Sequence, residues 1–328
     1  MNRTKVLALL AATTATTIYG LNHTIAKMIM PVYIGSLGLV LLRVLGATVI
    51  FWTLSFFIKG KPIEKKDRFT ILKCGLFGMS INIAAFIAGL DYSTPVNSSI
   101  LIIVSPIFVV ILSFLMFKQR INFFKIFGIF LGFIGAIILI ITADTNSSVG
   151  RNIPLGNFLF IVNSISYAYY LIIVKPMAEK YDLITLLKWL FLIGLIFNFP
   201  LGINQFLNVE WTNLPVQEAI LPMMYVVICT TFLTYLFNAF ALSKLSSTEV
   251  AVFMYLQPII GVLFAIFTKS DTITITIFVA SMLIFSGVYL TTILKENIDI
   301  NIERSNGDIE IGKIIDSSFR ISKTTKEY

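Results

Sequence analysis

The chain reads as an all-α integral membrane protein with ten transmembrane helices, arranged as two inverted five-helix repeats. Three observations lead there. Of 328 residues, 57% are hydrophobic and only 13% charged, with a mean hydropathy of +0.89. A soluble domain of that size needs a much larger polar share to cover its surface. The apolar residues fall in stretches of about 20, the length that spans a bilayer core. Finally, the second half of the sequence echoes the first at a nearly fixed offset.

The stretches occupy residues 6–28, 36–58, 70–90, 96–117, 123–142, 155–176, 184–203, 220–242, 248–267 and 273–294. The first follows Arg3 and Lys5 as a signal peptide would, but its apolar run continues past any cleavage site, so it counts as a span. The second carries Arg43, seven residues inside its start. Basic clusters precede the third (Lys59, Lys61, Lys65, Lys66, Arg68, Lys73) and the fifth (Lys118, Arg120, Lys125). The seventh opens with Lys188 and Trp189, which read as interfacial anchors, and the long connection 204–218 after it reads as interfacial. After the tenth, residues 295–328 mix both charge signs and read as a disordered cytoplasmic tail. With a cytoplasmic N-terminus, the basic clusters fall inside together with Lys175, Lys180, Lys188 and Lys244. Asp91, Asp144, Glu210, Glu218 and Asp271 then fall outside, with Arg151 and Lys269. This asymmetry places both termini in the cytoplasm and the protein in the cytoplasmic membrane.

The net charge of +8 is therefore topological. No basic stripe with interleaved aromatics lies on a soluble segment, which argues against nucleic acid. Cys74 and Cys229 sit far apart within apolar spans and read as packing thiols.

An offset of 152 pairs Pro106 with Pro258, Leu90 with Leu242, Asn82 with Thr234, Ser105 with Gln257, Gln119 with Asp271 and Gly135 with Gly287. An offset of 148 pairs Tyr19 with Tyr167 and Lys27 with Lys175. The expected units are 1–145 and 150–294. Five spans per unit force the second copy to cross the membrane upside down, a recurring plan of secondary transporters whose substrate sits where the halves meet. The same plan gives a reason for the proline in "IIVSPIFVV" (102–110) and its counterpart in "YLQPIIGVL" (255–263). Proline inside a helix costs roughly 3 kcal/mol and frees the carbonyl four residues back; here those are Ile102 and Met254. In lipid such a carbonyl needs protein or a wet cavity. Pro106 and Pro258 are thus either static kinks or hinges of a gate.

Several stretches resemble the EamA-type members of the drug/metabolite transporter superfamily. "IYGLNHTIAK" (18–27) is similar to the family's opening span, with Gly20, Asn22 and Lys27 in place and Tyr19 where a Trp is usual. "LLRVLGA" looks like its second-span arginine motif, through Arg43. "AGLDYSTPVNSSILIIVSPIFVVILSFLMFKQR" and "FALSKLSSTEVAVFMYLQPIIGVLFAIFTKSD" resemble the proline-bearing stretches of the two copies. The family usually places Glu about 13 residues after the proline; here Gln119, which has no charge, and Asp271 stand there. Asp271 is expected to cap a helix beginning at Thr272. The resemblance covers residues 6 to 294 and implies a ten-helix carrier of small metabolites, often outward, without a cofactor.

Ionisable groups at mid-membrane cost at least about 2.5–3.5 kcal/mol, so each needs a partner or a cavity. His23 shares a helical face with Tyr19 and Lys27. It is a neutral ring bonded to a carbonyl, a cavity-lining group, or a proton-coupling group. Arg43 holds a substrate carboxylate or phosphate, binds helix-end carbonyls, or snorkels outward. Asn82 in the third span and Thr231, Thr234 and Asn238 in the eighth lie on repeat-matched faces, and Asn163, Ser166 and Tyr170 share a face of the sixth. These either meet a polar substrate or stitch helices together. With Asn22, Tyr167 and Gln257 they complete the candidate cavity. Glu249 favours the N-terminus of the ninth span or joins a gate with Lys244 or Lys175.

The sequence thus points to a secondary transporter exporting small polar metabolites such as amino acids, as a monomer or homodimer, with protons as the candidate coupling ion. Two alternatives stay open: an importer or exchanger of sugar or nucleotide-sugar substrates, and a non-transporting sensor or assembly protein. An enzyme is not expected, since the chain has one histidine and no nucleophile–base pair or metal-spaced cluster.

Overall fold

The computed structural model describes residues 3–58, 60–117, 123–141, 150–242, 256–287 and 289–290. Regular structure among them is helical throughout. We label α1 (Arg3–Ile29), α2 (Ser36–Ser55), α3 (Lys65–Tyr92), α4 (Pro95–Phe117), α5 (Phe123–Ile141), α6 (Ile153–Lys180), α7 (Leu183–Leu207), α8 (216–242), α9 (Leu256–Phe267) and α10 (Ile275–Gly287). Six of these, α2, α3, α4, α6, α7 and α8, contain stretches long and apolar enough to cross a membrane. The apolar parts of α5, α9 and α10 are shorter. In α1, 27 residues long, six threonines, Asn22 and His23 dilute the apolar run. The chain is an integral membrane protein. Glu249, Gln119, Lys244, the Met254 carbonyl and the tail 295–328 lie outside the described residues.

Local chemistry sets the helix starts. Thr94 caps α4, accepting from the Asn97 amide at 3.2 Å, with Pro95 in the first turn. Asn152 caps α6 through the Leu155 amide at 3.2 Å, and Asp182 caps α7 through Ile184 and Thr185. Each side chain takes up amides that the first turn leaves unpaired. The α10 start corrects an expectation. That helix begins at Ile275 rather than Thr272, and the Thr274 hydroxyl accepts from the Ile277 amide at 3.2 Å. Asp271 accepts from the Thr272 amide at 2.8 Å and, through its other oxygen, from Val96 at 3.0 Å, so it also closes the first turn of α4.

Helix α7 also runs past its expected end at 203 to Leu207. The Gln205 side-chain oxygen Oε1 accepts from the Gly38 amide at 3.0 Å and ties this last turn to the start of α2. Trp211 then folds back, its indole N–H donating to the Phe206 carbonyl at 3.2 Å.

Three helices carry internal irregularities. In α4 the turn before Pro106 tightens to a 3₁₀ turn over Ile102–Val104, and the Ser105 hydroxyl donates to the Ile102 carbonyl at 2.8 Å. The carbonyl that the proline frees is thus satisfied by its immediate neighbour, not by a group across the interface. In α3 the segment Gly75–Ile81 is π-helical, and so is Tyr225–Leu233 in α8. These segments start 150 residues apart.

Packing pairs the helices in an exchangeable pattern. Helix α1 lies against α8 and α9, as α6 lies against α3 and α4. Helix α3 meets α7, and α8 meets α2, while α2 runs along α7. Fully buried Phe51 (α2) stacks on Phe191 (α7) with centroids 5.3 Å apart. Gly135 and Gly287, matched in the sequence repeat, both lie at the crossing of α5 and α10. A Cβ on Gly135 would sit 2.7 Å from the Ala280 carbonyl oxygen, and one on Gly287 2.5 Å from that of Gly128.

Candidate functional site

Polar side chains collect along the seam where the two halves of the chain face each other. The deepest charge is Arg43, 5% exposed on α2. It neither snorkels nor binds helix-end carbonyls. Its Nε donates to the Thr231 hydroxyl of α8 at 2.6 Å, and Thr231 passes its own proton to the Val226 carbonyl at 2.8 Å, within the π segment. Arg43 has no other hydrogen-bond partner among the described residues.

Tyrosines surround it. Tyr19 (α1) and Tyr235 (α8) lie within electrostatic reach of Arg43, and Tyr167 and Tyr170 (α6) within reach of both. The Tyr19 hydroxyl also meets Thr234 and Asn238 of α8. Tyr19, Tyr167 and Tyr235 keep partly exposed surface although they sit deep in the bundle. Phe191 supports Tyr235 edge-on at 5.1 Å, and Gly78 lets the Tyr170 ring lie directly on the α3 backbone. Of the sequence candidates, Arg43, Tyr167, Tyr170, Thr234 and Asn238 therefore come together here.

His23 and Gln257 belong to a second node that joins α1, α4 and α9. The Gln257 amide donates to His23 Nε2 at 3.1 Å, His23 Nδ1 bonds the Ser98 hydroxyl at 2.7 Å, and Ser98 donates to the Pro95 carbonyl at 2.8 Å. Because Ser98 spends its proton on Pro95, it accepts from Nδ1. The ring is then the neutral Nδ1–H tautomer with both nitrogens engaged. Asn22 is 1% exposed beside it, and its side-chain oxygen has no partner among the described residues. Gly20 lets α1 and α9 approach closely, since a Cβ there would lie 3.0 Å from the Gln257 carbonyl oxygen.

Asn82 and Asn163 act as stitches. The Asn163 amide donates to the Asn82 carbonyl at 2.9 Å, and the Asn82 amide returns a bond to the Asn163 carbonyl at 3.3 Å, locking α3 to α6. Ser166 donates to the Phe77 carbonyl in the α3 π segment at 2.7 Å. Asn198 of α7 donates to Met79 in the same segment at 3.3 Å and accepts from Ser80 at 3.2 Å. Sequence reasoning missed Ser98, Asn198 and Tyr235. A lone amide inside the apolar run "FLIGLIFNFPLG" was the available signal for Asn198.

The ends of the bundle are closed by charge. At one end Lys27 donates to the Leu90 and Asp91 carbonyls at 2.8 and 2.7 Å, and Arg151 pairs with the buried Asp91 carboxylate and stacks on Tyr92. A cleft of about 290 Å³ opens there between Asp91, Arg151, Ser36 and Gln205. At the other end Lys180 binds Asp67 at 2.5 Å and Glu64 at 2.8 Å, and Tyr181 donates to Asp67 at 2.5 Å. Hydrogen bonds from Lys180 and Lys66 hold the Glu64 carboxyl below its usual range. Beside this end, Lys188 lies over the Trp52 ring at 5.1 Å, with Trp189 edge-on to it, as interfacial anchors would.

Comparison with known proteins agrees with this layout. The family model described as "EamA-like transporter family" matches residues 6–141 and again 154–293. An uncharacterized transporter of Archaeoglobus fulgidus is 31% identical over 218 residues, 66% of this chain and 73% of that protein. A second from the same organism is 27% identical, with 84% of this chain and 94% of the relative covered. The uncharacterized transporter YetK of Bacillus subtilis is 23% identical over 87% of this chain and 86% of its own length. A solved crystal structure shares the fold at a TM-score of 0.57 and 15% identity, covering 89% of this chain and 98% of that one. These names point to a transporter rather than an enzyme. With the family model matched twice along most of its length, the chain belongs to the EamA-like transporter family.

Proposed function

We propose that the protein is a secondary carrier that exports small polar metabolites bearing a carboxylate across the cytoplasmic membrane by alternating access. One observation carries the reading. Arg43 is a buried guanidinium whose one hydrogen bond among the described residues is made by Nε, with partly exposed Tyr19 and Tyr235 within its electrostatic reach. A planar fork of this kind suits bidentate capture of a carboxylate. The remaining candidates take supporting roles: Tyr167, Tyr170, Thr234 and Asn238 line the site, His23, Asn22 and Gln257 brace the α1–α9 seam, and Pro106, Pro258 and Glu249 belong to the gates.

In this reading all ten helices cross the membrane, residues 1–145 and 150–294 form inverted repeats, and both termini are cytoplasmic. The packing supports it, because exchanging each helix with its counterpart five places on turns α1–α9 into α6–α4 and leaves α2–α7 and α5–α10 unchanged. The two π segments and the Tyr19–Tyr167 pair obey the same exchange. The test is counterflow in proteoliposomes with a panel of labelled carboxylate metabolites. Flux that saturates and is lost in Arg43→Ala is expected; a panel without flux, with or without a proton gradient, overturns the proposal. A nucleotide-sugar exchanger is less well supported, since its substrates carry several negative charges and Arg43 is the one cation of this site among the described residues.

A further inference from the structure

Resting on the carrier reading, we infer that the site selects by charge: its substrates are amphipathic monocarboxylates without a free ammonium group. Every aspartate and glutamate among the described residues lies at a helix end or in a connection, and none accompanies Arg43 into the interior. Lys27 spends its ammonium on two carbonyls at the bundle end. His23, the other titratable candidate along the seam, has its Nε2 taken by Gln257 and its proton on Nδ1. Among the described residues the seam therefore carries one uncompensated positive charge, that of Arg43. A buried charge with no counter-charge is costly, and an arriving carboxylate removes that cost.

A free amino group has the opposite effect. It brings a second positive charge beside Arg43 in a medium that screens poorly, and no carboxylate among the described residues lies there to receive it. Tyrosine faces attract cations, but Tyr19 and Tyr235 already lie within electrostatic reach of the guanidinium. Phenolic hydroxyls are also well suited to donate to a carboxylate, and the ring faces of Tyr167 and Tyr170, 6.0 Å apart, offer apolar area for the rest of the molecule.

Three compounds of one shape separate the charge classes: 3-phenylpropionate (carboxylate only), phenylalanine (carboxylate and ammonium) and phenethylamine (ammonium only). Equilibrium dialysis with the purified full-length protein should show 3-phenylpropionate binding at least tenfold more tightly than phenylalanine, and phenethylamine not at all. Arg43→Gln should flatten the series, and Arg43→Lys should keep its order. Tighter or equal binding of phenylalanine or phenethylamine, binding of none of the three, or an unchanged order in Arg43→Gln overturns the inference. Counterflow in proteoliposomes keeps the two claims apart. Preferential flux of phenylalanine leaves a carrier and removes the charge rule, whereas the expected binding order without any flux keeps the charge rule and removes the carrier.

Discussion

Arg43 and Asn163 are both buried and polar, yet their loss should have opposite signatures. Arg43 has no protein counter-charge among the described residues, so Arg43→Met, which keeps most of the volume and removes the charge, should abolish flux while leaving thermal stability unchanged or raised, because a buried charge without a partner is costly. Asn163 spends its amide on the Asn82 carbonyl. Asn163→Ala should therefore lower stability by about 1 kcal/mol, with flux per folded molecule nearly intact. Thermal unfolding in detergent and counterflow rates on the same preparations check both. The depth of Arg43 was legible in its distance from the start of the second span. Its tie to Thr231 was not, because nothing local says which face of α8 it meets. For Asn82 and Asn163 the residue type announced hydrogen bonding, but only the α3–α6 crossing shows that backbone carbonyls take both amides.

At the scale of elements, the all-helical character and the six long apolar helices could be read from apolar length, since a bilayer punishes every other way of satisfying the backbone. The π segments could not. Gly75–Ile81 and Tyr225–Leu233 look like ordinary apolar helix, and their widened turns depend on donors and hydroxyls from other helices: Ser166 and Asn198 in one case, Arg43 acting through Thr231 in the other. Close helix contact is equally invisible without the partner. A Cβ on Gly156 would lie 2.6 Å from the Gly89 carbonyl oxygen, so Gly156→Leu should cost about 1–3 kcal/mol by forcing α6 off α3; thermal unfolding measures it. The Lys180–Glu64–Asp67 contact predicts a pH effect. The Glu64 pKa is lowered on folding, so its contribution is present above the unfolded carboxylate value and disappears as pH falls through the lowered one. Protease cleavage in the 56–64 connection should rise on acidification across that window, and Glu64→Gln should remove the Glu64 share of the change.

At the scale of the whole molecule, the repeat was legible because its landmarks are rare residues in an apolar background: two prolines, matched glycines and a matched tyrosine pair. The proposed inversion makes a direct prediction. On intact cells, Arg151→Cys should react with an impermeant thiol reagent added outside, and Lys61→Cys should react only after permeabilisation; labelling of both from one side contradicts the opposed arrangement. The crossing of α5 and α10 carries a consequence for motion. Backbones this close leave little room to slide, so in the proposed carrier this pair would serve as the axle. Spin-label distances between α5 and α10 should stay constant through the transport cycle, while those between the far ends of α4 and α9 lengthen and shorten like the blades of shears around a rivet.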